Sequence, residues 1–132
     1  MREFWKWLVP ACDRIVGRRA VLCGDFNTAA SGEDGPAEYR FSCGSQFRDL
    51  EAHGWRDAYR ELHPVGRQYS WWHKGRGFRI DHGMLSRGLA APNSVAYTQE
   101  IGGTRLVQSP SDTVKVAAIS DHSALVLDFE PF

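Results

Sequence analysis

The chain has no net charge and few of the residues that mark a special environment. Sixteen Lys and Arg balance sixteen Asp and Glu over 132 residues. That balance argues against holding nucleic acid or a membrane through global charge, so any such binding must be local. Cysteine is scarce: Cys12, Cys23 and Cys43 are odd in number, widely spaced and without a C-x-x-C pair. Neither a disulfide framework nor a zinc knuckle is indicated, and a reducing, cytoplasmic setting is the simpler expectation. No run approaches the ~20 apolar residues of a membrane span. The opening MREFWKWLVPAC has a short apolar run and a Val-Pro-Ala-Cys reminiscent of lipoprotein processing, but Glu3 and Lys6 interrupt it and it is too short for a secretory signal. Lysine is rarer than arginine, three against thirteen. The planar fork of arginine suits bidentate phosphate contact, which permits phosphate chemistry without establishing it.

What is present is an ordinary globular composition, 42% hydrophobic and 12% aromatic, enough for the core of one domain. Phe4, Trp5, Leu8, Val9, Cys12, Ile15 and Val16 recur at three- and four-residue intervals, the stripe of an amphipathic helix with Pro10 as a kink or late start and Gly17 as its end. Ala20 to Cys23 reads as a buried strand with Gly24-Asp25-Phe26-Asn27 at its C-terminal end, so helix and strand form half of an α/β unit. Residues 28–45 read as a long loop that connects rather than packs. Phe47 and Leu50, then Trp55, Ala58, Tyr59 and Leu62, give two short helical patterns divided by Gly54 and stopped by Pro64 and Gly66. From there the period becomes two. Tyr69 to Trp72 and Phe78 to Leu85 bracket a His73-Lys74-Gly75-Arg76-Gly77 turn and predict a hairpin, Val95 to Ile101 a weaker strand, Val114 to Ile119 another, and Ser123 to Phe129 a terminal strand.

Four polar clusters fall at or beside these strands: Asp25 with Asn27, Asp81 with His82, Asp121 with His122, and the basic-aromatic stretch from Arg67 to Arg79. Strand ends from distant parts of a chain are where sites are assembled. Hydrolysis of a phosphate ester needs a hard cation on oxygen ligands, a group that orients or deprotonates water, and donors for charge growing on phosphoryl oxygens. Asp, Asn and His supply those parts. An Asp–His pair drawn from two strands fixes the imidazole tautomer, and either Asp81 or Asp121 could serve His122. The bland alternatives are a self-bonded turn for Asp25 and Asn27, a surface ion pair of Asp81 with Arg79, and a cap for Asp121 and His122. The order and strand context of the clusters favour a site. His82 alternates with Asp81 and therefore points to the opposite face. His53, His63 and His73 read as solvated, and Cys23 as a small core residue. Arg67, Lys74, Arg76 and Arg79, interleaved with Tyr69, Trp71, Trp72 and Phe78 and free of acidic residues, read as a nucleic-acid surface whose cations, Arg76 among them, meet phosphates, one of the two adjacent tryptophans being core.

At Gly24-Asp25-Phe26-Asn27, Tyr69-Ser70-Trp71-Trp72, Arg79-Ile80-Asp81-His82 and Ser120-Asp121-His122, in that order, the chain resembles the endonuclease/exonuclease/phosphatase superfamily, and within it the exonuclease III-like nucleases. The resemblance runs from about Phe4 to Phe129. It implies an α+β fold, part of a four-layer α/β/β/α sandwich with mixed or antiparallel sheets. It also implies Mg²⁺ or Mn²⁺ as cofactor and DNA as substrate, with Trp71 and Phe78 facing that substrate. By resemblance Asp25 orients or activates water, Asn27 bonds that water or a phosphate oxygen, Asp81 orients His122, His122 contacts the phosphoryl group, and Asp121 helps to bind the metal. The family's first half carries an Asn and a metal-binding Glu that this sequence starts after, and Gln99-Glu100 lies in the wrong context to replace the latter. The resemblance therefore implies a single partial domain, the C-terminal half, with little or no activity by itself and with self-association through an uncovered apolar face. Other substrates of the superfamily, such as phospholipid head groups, inositol phosphates or nucleotides, and a non-catalytic fragment are the alternatives.

Overall fold

The computed structural model describes residues 1–108 and 118–130. Most of the strand expected over Val114 to Ile119 lies outside the described residues. Helix α1, Arg2–Asp13, runs through Pro10 without a break. Trp5, Leu8, Cys12 and the following Val16 are its buried stripe, whereas Phe4 and Ile15, assigned to that stripe from spacing, are exposed. Helix α2, Gly44–Ala52, buries Phe47 and Leu50 against it. Its end is set by Gly54 at φ 95°: Gly54 N–H donates to Glu51 O and Trp55 N–H to Leu50 O, both at 3.0–3.1 Å. This is the bonding of a Schellman cap, which needs a left-handed residue. Trp55 thus leaves the helix and leads into β2, Arg56–Asp57, before the short α3, Ala58–Leu62.

The central sheet has the order β1, β5, β2, with β1 at Val21–Asp25 and β5 at Asp81–Leu85. Both pairings are antiparallel, so β1 is not half of a parallel α/β unit. Successive residues of β5 face opposite ways. His82 and Met84 point to the first apolar cluster with Trp5, Phe47, Leu50 and Trp55. Leu85 points to the second, with Ala58, Tyr59, Val95 and Tyr97. That second cluster is closed by β6, Ser94–Thr98, paired antiparallel with β9, Ala124–Asp128. Leu125 and Leu127 pack inward from β9, and a Cβ at Gly83 would meet Leu127 at 2.8 Å, so the two sheets approach closely there. Helices α1 and α2 on one face of the central sheet, with α3 and a second antiparallel sheet on the other, agree with the expected layered α+β class.

Other local expectations change. The hairpin is shorter than its sequence pattern, joining β3, Trp71–His73, to β4, Arg76–Phe78, through Lys74 and Gly75, both at positive φ as a two-residue type I′ turn requires. After Phe78 the chain leaves this ribbon and starts the central strand. Beyond β6, β7 at Glu100–Ile101 and β8 at Thr104–Arg105 form a small ribbon of their own. The segment 28–45 packs: Thr28, Ala29, Ala30, Asp34 and Cys43 are buried. Strand β1 is not buried, and Val21 and Cys23 are exposed, because no described strand pairs with its outer edge. No helix among the described residues is long and apolar enough to cross a membrane.

Candidate active site

The antiparallel register of β1 and β5 sets Asp25 directly opposite Asp81, and facing residues of such a pair share one side of the sheet. Asp25 is held by its own neighbour. Asn27 N–H and the Asn27 side-chain amide donate to its two oxygens at 2.8 and 3.0 Å, and Asn27 takes φ 49° to do so. The self-bonded turn therefore exists, at the end of β1 and beside Asp81.

His122 arrives from the segment before β9. It bridges to Trp71 of β3, and Ser123 N–H donates to Ser70 O at 2.7 Å. Its Nδ1 lies 2.7 Å from Asp81 Oδ2, while Nε2 is 4.0 Å from Asp121 Oδ1. Asp81, not Asp121, is therefore the carboxylate bonded to the imidazole, and the alternative pairing of Asp81 with Arg79 does not occur. Asp121 is exposed and accepts from Trp71 Nε1 at 3.2 Å. The Trp71 indole stacks on His73 and lies over Phe78.

Two residues that the sequence reading left without a role hold this arrangement. The buried Ser70 Oγ accepts from Ile80 N–H and Asp81 N–H at 3.1 and 3.2 Å, fixing the start of β5 to the hairpin. Tyr97 on β6 donates its hydroxyl to Asp81 O at 2.5 Å. Burial pushes the Tyr97 phenol above its ordinary value, so the donor is kept in place. Ser70 carried the signal of lying inside Tyr69-Ser70-Trp71-Trp72; Tyr97 carried none, since its partner is sixteen residues away on another sheet.

Behind the site is a buried ionic cluster. Arg79 forks onto Asp57, with Nη1 and Nη2 at 3.0 and 2.7 Å from its two oxygens, and bonds Asp34 through Nε at 2.8 Å. Arg60 supplies a second guanidinium to Asp34. His82 Nδ1 is 3.2 Å from Arg79 Nη1, and Nε2 is 3.1 Å from the Thr28 carbonyl, an acceptor only, so Nε2 carries a proton. Burial opposes the charge on Asp57, but His82 and Arg79 outweigh it and hold the carboxyl far below the usual range. Burial likewise opposes the charge on Arg79, and Asp57 and Asp34 reverse that effect. Arg79 is thus a structural cation and not part of a nucleic-acid surface, because two carboxylates 22 and 45 residues away claim it.

Of the residues expected to face substrate, Arg76 is exposed and lies 3.4 Å from Glu38, and Trp71 is partly exposed beside His122. Phe78 is buried beneath Tyr39, Phe41 and Trp71, so it supports the surface and does not present itself. Trp72, like Trp71, is only partly buried, so neither is a core residue.

No cluster of three His, Cys, Asp or Glu side chains among the described residues could cage a metal. The donor set suits a cation that takes one carboxylate from the protein and its remaining oxygens from water and phosphate, the usual habit of Mg²⁺. Two exposed carboxylates lie there, Asp25 and Asp121, and either could take that part.

Solved structures of the same shape exist. A 3'-5' exonuclease, NExo, from Neisseria meningitidis matches with a TM-score of 0.74 at 25% identity, over 98% of this chain and 53% of that one. The fold is that of the exonuclease III-like members of the endonuclease/exonuclease/phosphatase superfamily. A second structure with this superfamily fold, the 3' phosphatase NExo from Neisseria bound to product DNA hairpin, matches with a TM-score of 0.73 at 23% identity, over 98% of this chain and 52% of that one. The chain spans about half the length of these superfamily structures. No protein-family model matches it, and no curated protein does.

Proposed function

We propose that the chain is part of a metal-dependent phosphodiester hydrolase acting on DNA, in the exonuclease III-like branch of the superfamily, by attack of an activated water. The observation that carries this reading is the 2.7 Å contact of His122 with Asp81, itself directly opposite Asp25. With Nδ1 bonded to Asp81, His122 keeps Nε2 for a phosphoryl oxygen, and donation there stabilises charge that grows during attack. Asp25 orients the water, and Asn27 keeps Asp25 aimed while its amide reaches the same region. Asp121 offers a carboxylate to Mg²⁺ or Mn²⁺, which when bound neutralises charge on the phosphoryl oxygens. The neighbours named for DNA chemistry, one of them holding a DNA hairpin, support the substrate class.

The test uses the longest translated product containing this chain, with duplex oligonucleotides bearing an abasic site, a 3' phosphate or an intact 3' end. Cleavage or phosphate release is expected with Mg²⁺ and not with a chelator. Asp25→Ala and His122→Ala are each expected to lower the rate by about 10²–10⁴-fold, the usual contribution of a positioned proton-handling group. Unchanged turnover in both variants overturns the assignment. Replacing Trp71 and Arg76 together is expected to impair DNA cleavage far more than hydrolysis of a small phosphodiester. Equal losses would move the reading to a small-molecule phosphatase.

A further inference from the structure

Trp71 and His122 occupy one side of the strip formed by β3 and the segment entering β9. Their successors, Trp72 and Ser123, turn to the other side, where they line a cavity of about 270 Å³. It lies back to back with the site above and shares a wall with it, since Tyr97 lines the cavity while its hydroxyl holds Asp81. We propose that this cavity is a second binding site, for one unpaired nucleotide, with its base on the aromatic lining and its phosphate on Arg67.

Four features of the lining support that ligand chemistry. Tyr69 and Trp72 both line the space, and the Tyr69 ring lies on Gly77, the cross-strand partner of Trp72, where a Cβ would come within 2.1 Å of it. Aromatic faces of this kind accept any base. Gln68 and Gln99 border the same space, and with Gln68 Oε1 accepting from Tyr97 N–H at 3.2 Å, its amide N–H groups remain to donate. Amide side chains match the paired donor and acceptor edges of bases. Tyr97 adds a third ring to the lining, held in place by the hydrogen bond of its hydroxyl to Asp81 O. Arg67 in the lining is exposed and forms no ion pair among the described residues, and among those residues no acidic side chain lines the space to repel a phosphate. The volume falls below the ~300 Å³ at which pockets for drug-sized ligands begin, so it admits a single base and not a stacked pair.

The nucleotide has two possible sources, a free mononucleotide or an unpaired residue of a bound strand. The second rests on the proposed action on DNA, whereas the site itself does not. The experiment therefore reads binding without turnover. In the chelated protein, the indole N–H resonance of Trp72, assigned by its loss in Trp72→Phe, is followed during titration with deoxyadenosine monophosphate and, separately, with a short single-stranded oligodeoxythymidylate.

A saturable shift with either probe, retained in His122→Ala and weakened in Arg67→Ala, is the expected result. Response to the mononucleotide identifies a free ligand, and response to the oligonucleotide alone identifies a residue of the strand. Trp72→Ala, which lacks the reporter indole and is therefore read by titration calorimetry, is expected to raise Kd by about 5- to 150-fold, the loss of one base stack. No shift with either probe, or a shift confined to Trp71, overturns the proposal. Because Arg67 is exposed, its variant keeps the test decisive if Trp72→Ala fails to fold. Absence of DNA cleavage by the unaltered protein, with nucleotide binding intact, would refute the catalytic reading alone.

Discussion

Arg79 shows how far one residue can depart from its local context. Its neighbours in the chain are cations and rings, yet its guanidinium is buried and divided between Asp34 and Asp57. Burying two carboxylates is costly, and the cost is offset here by geometry, since Asp57 receives a two-pronged contact. Asp57 Oδ1 also accepts from Tyr59 and Arg60 N–H at 3.0 and 3.2 Å, capping α3 with the same carboxylate. Truncating Arg79 leaves both acids buried with their main partner gone. Arg79→Ala is therefore expected to destabilise the fold by about 3–5 kcal/mol in urea denaturation. A loss below 1 kcal/mol would show that water or Arg60 replaces the guanidinium. The site shares in this cluster, because Arg79 immediately precedes the strand that carries Asp81.

At the scale of elements, ends and edges matter more than interiors. The end of α2 depends on Gly54, whose positive φ turns Trp55 back onto the core above Leu50. An L-residue pays about 1–2 kcal/mol in that conformation, and a Cβ would also come within 2.9 Å of the Arg87 side chain, which can shift. Gly54→Ala is expected to lower stability by about that amount, read as a fall in the thermal midpoint, with no change in helix content outside the last turn of α2. Strand β5 is the element on which everything converges. It is central in its sheet, carries Asp81 on one face and His82 on the other, and so couples the candidate site to the buried ionic cluster. The periods of α1 and β9 were legible because a helix stripe and an alternating strand are local patterns. The shortened hairpin was not, since the chain's departure after Phe78 is set by Asp34 O accepting from Arg79 N–H at 2.8 Å.

For the whole molecule, the depressed Asp57 carboxyl links stability to pH. In the unfolded chain this group binds a proton near its ordinary value of 3.8, and in the fold it resists protonation to far lower pH. Its contribution is fully present above about pH 4 and is lost as pH falls from there toward the folded value. Denaturation midpoints measured from pH 6 downward are expected to decline below pH 4, and Asp57→Asn to flatten that decline while lowering stability at neutral pH. An unaltered slope in the variant would assign the acid sensitivity elsewhere. A second molecular property follows from exposed apolar area. Phe4 and Trp7 are 56% and 66% exposed, and Phe4 lines a shallow groove with Leu22 and Cys23 of the unpaired β1 edge. Contiguous apolar surface at an open edge favours association. Sedimentation coefficients are expected to rise with concentration and to do so less in Trp7→Lys, whereas a constant monomer value would contradict this.

Residues within a few positions of one another are enough to give the local periods, a turn somewhere between His73 and Gly77, and the separation of Asp81 from His82 onto opposite faces. The sequence by itself also carried the resemblance that marked Asp25, Asn27, Asp81, Asp121 and His122, since those residues stand in short motifs at strand ends. Only the tertiary structure decided that Asp81 and not Asp121 meets His122, that Phe78 and Arg79 turn inward, and that Cys23 turns outward. Those outcomes depend on which strand lies beside which, and the partners are tens of residues apart along the chain. Strand pairing and the burial of charge are long-range bargains among desolvation, packing and partner geometry, and no local period encodes them.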